Sequence, residues 1–410
     1  MPFAVKVILV LLSVFLLEFY FVKKVIGSIK ILFPKVSLKK IKIGKWIILT
    51  LINIYPVISI FSWAYFYITK SGIFAPPENF FFDYFILYPF WFGTMLIVQA
   101  TLFFLILEVV SLFFIPVYKN EKRIKIKSFL YFFIFAATVI YVPIRIIYDY
   151  NSVEIREVSF TKENLPESLN GFKITFVSDI QADRFTNEDR LSNFIDKLNS
   201  TNPDLVLIAG DMITSTPDFI ELSANQLSKV NAKHGVFTCV GDHDNWAYRG
   251  NTEKSLSEVT KALSNVNIPM IDNNKLILGI DSSNIEVTFI TNTYVETVSE
   301  KILDSLTNNI NKADLRIFLT HQPREFMIKK AADKKYDLYL CGHTHGGQVT
   351  FLFPFYNLSP TLAETTYMRG DFWFGDMLMI VTRGLGMSLA PVRFNSTPEI
   401  TVITLSKIIK

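Results

Sequence analysis

The chain has 410 residues, of which 50% are hydrophobic and 15% aromatic, and a formal net charge of +4. Such apolar content is unusual for a soluble protein, so membrane segments are sought first. The positive charge does not indicate nucleic-acid binding, because many lysines flank apolar runs and no basic-aromatic patch follows residue 150. Cys239 and Cys341 each lie in an apolar run typical of a buried strand, which argues against a disulfide framework.

Four apolar stretches approach or exceed the ~20 residues that a helix needs to cross a bilayer. They cover 4–22, 46–68, 91–117 and 129–148. We therefore predict a four-helix transmembrane region over residues 1–150. A cleaved signal peptide is the alternative for the first stretch, but Lys23 and Lys24 close it and no small-residue cleavage site follows.

Basic residues are unevenly distributed among the connections between these stretches. The first connection carries eight lysines and the third carries five basic residues, against Lys70 alone in the second. By the positive-inside rule the first and third connections are cytoplasmic. The prediction is a multi-pass protein of the cell membrane whose domain after Tyr148 lies on the non-cytoplasmic side. Glu18 and Glu108 within the spans leave transport open, unless each faces a neighbouring helix or snorkels to the interface.

From residue 151 the chain alternates short apolar runs with polar helical stretches, which is typical of a layered α/β domain over 151–410. Several runs are followed directly by acidic residues or histidine. Ligands collect where strands end in such folds, so these residues are expected to converge on one rim. The predicted strands cover 173–178, 205–209, 236–240, 276–280, 286–291, 316–320, 338–341, 377–382 and 400–404.

Five motifs at predicted strand ends contain four of the five histidines. Each alone is weak, because a Gly-Asp pair after a strand is usually a turn. Together they supply carboxylate, amide and imidazole groups without thiolate, which suits Mn, Fe or Zn in a hydrolytic site. Two such ions ~3.5–4 Å apart would bind a phosphoryl oxygen and activate water. The motifs are Ser178-Asp179-Ile180-Gln181, Gly210-Asp211-Met212, Gly241-Asp242-His243-Asp244, Thr320-His321-Gln322-Pro323 and Gly342-His343-Thr344-His345-Gly346-Gly347-Gln348.

The order and spacing of these motifs resemble the calcineurin-like metallophosphoesterases, specifically their membrane-anchored bacterial-type branch. In that branch the last motif reads Gly-His-Thr-His-Gly-Gly-Gln, and the resemblance continues into 383–386 and 391–400. It implies a four-layer αββα sandwich and two divalent metal ions. His243 matches the family's substrate-facing histidine, which contacts the phosphate and can protonate the leaving alcohol. The implied ligands are Asp179 and His345 for one metal, Asp211 as a bridge, and Asp242, His321 and His343 for the other.

Two positions depart from the family pattern. Gln181 stands where the family usually has His, and Asp242 stands where it has Asn. An amide oxygen coordinates more weakly than imidazole, and Asp183 is an alternative ligand to Gln181. Asp242 is a good oxygen ligand that adds negative charge. The site is thereby richer in oxygen, so we expect Mn as the preferred metal, with Fe and Zn as alternatives.

The resulting prediction is a metal-dependent hydrolase of phosphoester or pyrophosphate bonds. Membrane anchoring favours a lipid-linked or membrane-proximal substrate, because it raises the effective concentration. One alternative is a UDP-2,3-diacylglucosamine pyrophosphatase-like hydrolase, but that nucleotide is cytoplasmic and the predicted topology argues against it. Another is a catalytically silent metal-binding sensory module, but such a remnant would not need His243.

Three residues outside the five motifs have alternative interpretations. Arg383 and Arg393 either grip a phosphate through their planar guanidinium groups or form structural pairs. His234, the fifth histidine, precedes a probable turn into a strand and is expected at the surface.

Overall fold

The computed structural model of the chain describes residues 3–69, 77–114, 120–248, 250–308 and 313–407, and only the backbone of residues 3–11, 67 and 114. The chain divides into two compact units. The first contains Met1–Ile147 together with Phe351–Leu358, and the second contains Tyr148–Thr350 and Ser359–Lys410.

Long apolar helices form the first unit. They are α1 (Phe3–Leu32), α2 (Leu38–Thr69), α3 (Phe80–Phe82), which continues through a π-helical turn into α4 (Tyr88–Phe114), and α5 (Asn120–Asn151). Three segments of the described residues are long and apolar enough to cross a membrane: Leu38–Phe66, Phe80–Phe113 and Asn120–Asn151. The described residues thus contain three candidate spans rather than the four that the sequence predicted. The first predicted span, 4–22, falls in α1 and lies partly outside the described side chains.

The basic residues assigned to connections lie largely within the helices. Lys23, Lys24 and Lys30 belong to α1, and the connection to α2 is only 33–37. The two acidic residues within the predicted spans face neighbouring helices. Glu18 accepts a hydrogen bond of 2.7 Å from Asn53, and Glu108 is contacted by three polar side chains, those of Lys24, Lys127 and Tyr131.

Two six-stranded mixed sheets form the second unit. The first contains, in spatial order, β1 (Glu154–Lys162), β14 (Glu399–Lys407), β2 (Lys173–Val177), β3 (Leu205–Ile208), β4 (Val236–Cys239) and β5 (Met270–Ile271). The second contains β12 (Gly370–Phe374), β13 (Met377–Val381), β9 (Leu338–Cys341), β8 (Leu315–Thr320), β7 (Ser283–Ile290) and β6 (Asn274–Ile280). A separate hairpin of β10 (Phe351–Phe353) and β11 (Tyr356–Leu358) belongs to the first unit.

Alternating side chains of the two sheets build three apolar layers. Phe176 and Phe289 are fully buried in the core between the sheets. Val177, on the opposite face of β2, packs in a second cluster with α6 (Glu188–Asn199), α7 (Ile220–Leu227) and α8 (Thr252–Asn265). Phe318 packs on the outer face of the second sheet with α9 (Glu300–Asn308) and α10 (Glu325–Asp333). The predicted αββα sandwich is confirmed.

Parallel pairing gives several strands a common edge. β2, β3 and β4 are parallel neighbours, and so are β7, β8 and β9. The residues that follow these strands therefore emerge at the same side of each sheet, which is the reason that the five motifs can meet.

Candidate metal centre

The loops that follow β2, β3, β4, β8 and β9 approach one another so closely that glycine is required at two strand ends. A Cβ on Gly241 would lie 2.2 Å from the backbone nitrogen of Asp211, and one on Gly342 would lie 1.8 Å from Ser178 Oγ. Real Cβ atoms do not approach other atoms so closely. Both glycines are therefore needed to bring the carboxylate-bearing loops together.

Five of the predicted ligands have backbones in the left-handed region. The φ values of Asp179, Gln181, Asp211, His343 and His345 are 54°, 51°, 61°, 69° and 49°. Such conformations cost on the order of 1–3 kcal/mol each for residues other than glycine, and they cluster at functional sites. The surrounding loops hold these side chains in strained but convergent positions.

One group of potential ligand atoms comes from Asp179, Asp211 and His321, within 4.8 Å of one another. Three buried atoms of this region lack a hydrogen-bond partner among the described residues: Asp179 Oδ1, Gln181 Oε1 and His321 Nε2. A buried polar atom without a partner costs ~1–3 kcal/mol. Since these are two oxygens and an imidazole nitrogen, they fit a bound cation.

Gln181 and His345 lie at the edge of this group. Gln181 Nε2 donates to Asp211 Oδ2 at 2.7 Å, which directs its Oε1 elsewhere. His345 Nε2 is 3.4 Å from Asp179 Oδ1, and the Arg393 guanidinium lies 3.4 Å from its Nδ1. His345 therefore lies beside Asp179, whereas Gln181 binds Asp211 and keeps a buried Oε1 without a hydrogen-bond partner among the described residues.

A second group consists of Asp242, His321 and His343. Asp242 Oδ2 lies 2.8 Å from His343 Nδ1 and 3.3 Å from His321 Nε2. The His321 Nδ1 is 2.6 Å from the carbonyl oxygen of Ala209. A carbonyl only accepts, so Nδ1 carries hydrogen, and Nε2 is the nitrogen that would turn a lone pair to a bound cation, as in a ligating histidine.

The charges of the two groups favour a cation. Burial would lower the pKa of His321, but the Asp211 and Asp242 carboxylates outweigh burial and raise it well above its usual range. Burial likewise lowers the pKa of His343, while hydrogen bonds to Asp242 and Glu364 raise it to about 9. The carboxylates therefore draw positive charge into this buried space.

His243 contacts the site without joining either group of potential ligands. Its backbone N–H donates to Asp211 Oδ1 at 2.8 Å, and its Nδ1 contacts the carbonyl oxygen of Thr214. Its Nε2 lies 3.0 Å from the hydroxyl of Ser388. Since Nδ1 must donate to the carbonyl, Nε2 is the nitrogen that can exchange a proton with a bound molecule.

Three residues outside the predicted ligand set support the site, two of them within the predicted motifs. Gln322 Nε2 donates to both oxygens of Asp242, at 2.9 and 2.8 Å. Asp244 accepts from the backbone N–H groups of Asp211, Met212 and Gly241, so it holds the loops of the second and third motifs together. Glu364 Oε1 lies 3.2 Å from His343 Nε2.

Other residues considered above lie outside the two ligand groups. Asp183 uses one oxygen for the N–H groups of Phe185 and Thr186, and the other for Thr214. Arg383 pairs with Glu399 and Glu154, and the fully buried Arg393 donates to backbone carbonyl oxygens. His234 contacts Phe172. Both arginines therefore have structural partners.

Carboxylate, amide and imidazole groups converge at the ends of parallel strands in this αββα sandwich. This combination of fold and site is typical of a metal-dependent hydrolase. Residues 172–347 match the family described as calcineurin-like phosphoesterase. The chain is 32% identical over 260 residues to the uncharacterized metallophosphoesterase YkuE of Bacillus subtilis, covering 62% of this chain and 85% of the relative. The chain belongs to the calcineurin-like phosphoesterase family and is a phosphoester hydrolase.

Two further relatives have more specific names. One, 29% identical over 269 residues, is a transmembrane protein with metallophosphoesterase domain from Danio rerio, and the match covers 62% of this chain and 57% of that protein. The other, 28% identical over 250 residues, is the phosphodiesterase YaeI of Escherichia coli, and the match covers 60% of this chain and 86% of that protein. The apolar helices and the first of these relatives indicate membrane association.

Proposed function

We propose that the chain hydrolyses phosphodiesters with two divalent metal ions, on a lipid-linked or membrane-proximal substrate at the non-cytoplasmic face. The observation that supports it best is the set of buried atoms without partners, Asp179 Oδ1, Gln181 Oε1 and His321 Nε2. Their neighbouring atoms are fixed by hydrogen bonds, so the site is preorganised for cations.

In this proposal Asp179, Gln181 and His345 would hold one ion, and Asp242, His321 and His343 would hold the other. Asp211 would be shared by both ions. When bound, the ions polarise the phosphoryl oxygens and activate the attacking water. Mn is expected to activate best, because oxygen ligands predominate around the first ion.

His243 transfers a proton to the leaving oxygen. Its Nδ1 is committed to the carbonyl of Thr214, and its Nε2 stands beside the hydroxyl of Ser388. A substrate oxygen that replaces this hydroxyl would lie within hydrogen-bond reach of Nε2. The imidazole would then stabilise the charge that develops on the leaving group, which raises turnover more than binding.

Two features support the choice of substrate. Membrane association raises the effective concentration of lipidic substrates. The YaeI relative is described as a phosphodiesterase, which favours diesters over monoesters for this chain.

The test is an assay of the purified full chain with bis-p-nitrophenyl phosphate, p-nitrophenyl phosphate and lipid phosphates, each with Mn, Fe, Zn or Mg. We expect faster cleavage of the diester than of the monoester and the highest rate with Mn. Absence of hydrolysis with every metal would refute the enzymatic proposal. A higher rate on the monoester would refute the diester preference alone.

A further inference from the structure

The hairpin of β10 and β11 belongs to the same compact unit as the membrane-spanning helices. Its strands pair antiparallel with Phe353 opposite Tyr356, so Pro354 and Phe355 form the turn. None of the residues of the candidate metal centre lies in this segment. Its position and chemistry therefore need a separate explanation.

Gln99 of α4 pairs with the hairpin through both ends of its side-chain amide. Its Nε2 donates to the carbonyl oxygen of Leu352 at 2.9 Å, and its Oε1 accepts from the N–H of Leu352 at 2.9 Å. Gln99 is fully buried. One side chain thus satisfies both backbone groups of a hairpin residue, as is required of non-helical backbone at membrane depth, where water cannot do so.

Gln99 lies within the membrane-spanning segment rather than at its end. Glu108, nine residues further along α4, contacts Lys24 and Lys127 and so marks the level of the basic residues. The apolar segment that contains Gln99, Phe80–Phe113, begins nineteen residues before it and ends fourteen residues after it. At 1.5 Å per residue Gln99 is about 28 Å from the first end of this segment and about 21 Å from the second. The hairpin therefore meets α4 well inside the apolar segment.

Phe355 combines a strained backbone with a fully exposed aromatic side chain. Its φ is 64° and its relative exposure is 107%. A turn with Pro at its first central position and a positive φ at the second favours Gly or Asn there. Phe353 and Tyr356 beside it are also exposed. Water offers no compensation for three exposed aromatic rings, whereas acyl chains do.

We propose that the hairpin is a re-entrant, lipid-contacting element of the membrane region. Gln99 fixes it to α4, and Phe353, Phe355 and Tyr356 contact the acyl chains of surrounding lipids. This assignment concerns the first unit alone, so it can hold or fail independently of the proposed hydrolytic activity.

The test uses the full chain in vesicles of phosphatidylcholine and phosphatidylglycerol, with a nitroxide attached to Phe355→Cys. The native Cys239 and Cys341 are buried, so they do not compete for the label. Molecular oxygen concentrates in hydrocarbon, whereas a nickel chelate stays in water. We expect oxygen to relax the label at 355 more strongly than the chelate does.

Ile277→Cys is the matched control, since Ile277 is an apolar residue, 53% exposed, on β6 of the second unit. Its label should show the opposite preference. Equal access of the nickel chelate to both labels would overturn the proposal. Dipolar broadening between labels at 355 would do so as well, because it would identify a second copy of the chain as the contact.

A second variant, Gln99→Met, removes both hydrogen bonds while keeping side-chain length. We expect the label at 355 to lose its preference for oxygen and the Leu352 amide to exchange its hydrogen faster. In the same variant, an unchanged response of the label at position 277 to oxygen and to the chelate would show that the second unit is still folded. If the label at 355 keeps its preference for oxygen in Gln99→Met, Gln99 does not hold the hairpin.

Discussion

The side-chain amide of Gln181 uses its nitrogen in a hydrogen bond and leaves its oxygen without a partner among the described residues. A glutamine that binds a metal through its oxygen would show this pattern. In Gln181 the Nε2 donates to Asp211, and the Oε1 without a partner is buried. If Oε1 coordinates, replacing it with imidazole should tighten metal binding and shift preference from Mn toward Zn or Fe, because these metals gain more from nitrogen ligands.

Metal titration of the wild type, Gln181→His and Gln181→Ala measures this effect. We expect affinity to rise in the histidine variant and to fall in the alanine variant. If all three proteins bind the same metals with equal affinity, Gln181 is not a ligand, and the first ion is held by Asp179, Asp211 and His345 alone.

Replacing His243 should lower turnover without removing bound metal. His243 lies beside Asp211, but its imidazole belongs to neither group of potential ligands. We expect His243→Ala to lower kcat by roughly 10²–10⁴, the range of general acid–base groups, with bound metal nearly unchanged by elemental analysis.

His234→Ala is the control for that variant, since His234 contacts Phe172 rather than the site. It should leave kcat unchanged. Loss of metal in His243→Ala would instead make His243 a ligand, and normal turnover would remove it from the mechanism.

The sequence predicted the residues of the site that follow strands and missed those that reach it from elsewhere. Asp179 and Asp211 stand at the ends of β2 and β3, which parallel pairing brings to one edge of the first sheet. His321 follows β8 of the second sheet and joins them because the two sheets pack face to face. Glu364 follows a short 3-10 helix 21 residues beyond His343, in a segment without periodicity. Spacing cannot indicate how such a segment folds back, so only the structure reveals its contact with His343.

The segment 386–396 is held over the site by Gln348, the last residue of the fifth motif. Gln348 Nε2 donates to the carbonyl oxygens of Ser388, Ala390 and Val392, at 2.8, 2.9 and 3.2 Å. Its Oε1 accepts from the Ser388 N–H at 2.8 Å. The motif glutamine therefore positions the hydroxyl that contacts His243.

Gln348→Ala should release this segment, because four buried or half-buried backbone groups lose their partner. The expected loss of stability is about 1–3 kcal/mol, with faster hydrogen exchange of the Ser388 amide in the full chain. Gln226→Ala on α7, which removes hydrogen bonds to Glu188 and Lys229, should leave that exchange rate unchanged. Equal protection of Ser388 in both variants would contradict this anchoring role.

Strands buried on both faces were predictable, whereas the edge strands β1, β5 and β12 were not. β3 and β9 are continuous apolar runs, and all nine predicted strands occur with ends within a few residues. β1 at the sheet edge reads Glu-Ile-Arg-Glu-Val-Ser-Phe-Thr-Lys, with few apolar residues to bury. β12 is also an edge strand, and β5 has only two residues. Pairing with a neighbouring strand, rather than local propensity, determines these elements.

The two basic regions of the first unit lie at one level of the helical bundle. Glu108, near the end of α4, contacts two lysines. One is Lys24, near the end of the apolar part of α1, and the other is Lys127, near the start of α5. A single carboxylate can reach both only if those helix ends lie on the same side. This agrees with the positive-inside argument, in which both basic regions face the cytoplasm.

That argument predicts that the second unit lies outside the cytoplasm, and cysteine labelling in intact cells can test it. Ser264 on α8 and Ser37 between α1 and α2 are both exposed, and cysteine is nearly isosteric with serine. The native cysteines are buried and give little background. We expect a membrane-impermeant thiol reagent to label Ser264→Cys in intact cells, and Ser37→Cys only after permeabilisation. The reverse pattern would show that the second unit lies in the cytoplasm. Cytoplasmic nucleotides would then again be candidate substrates.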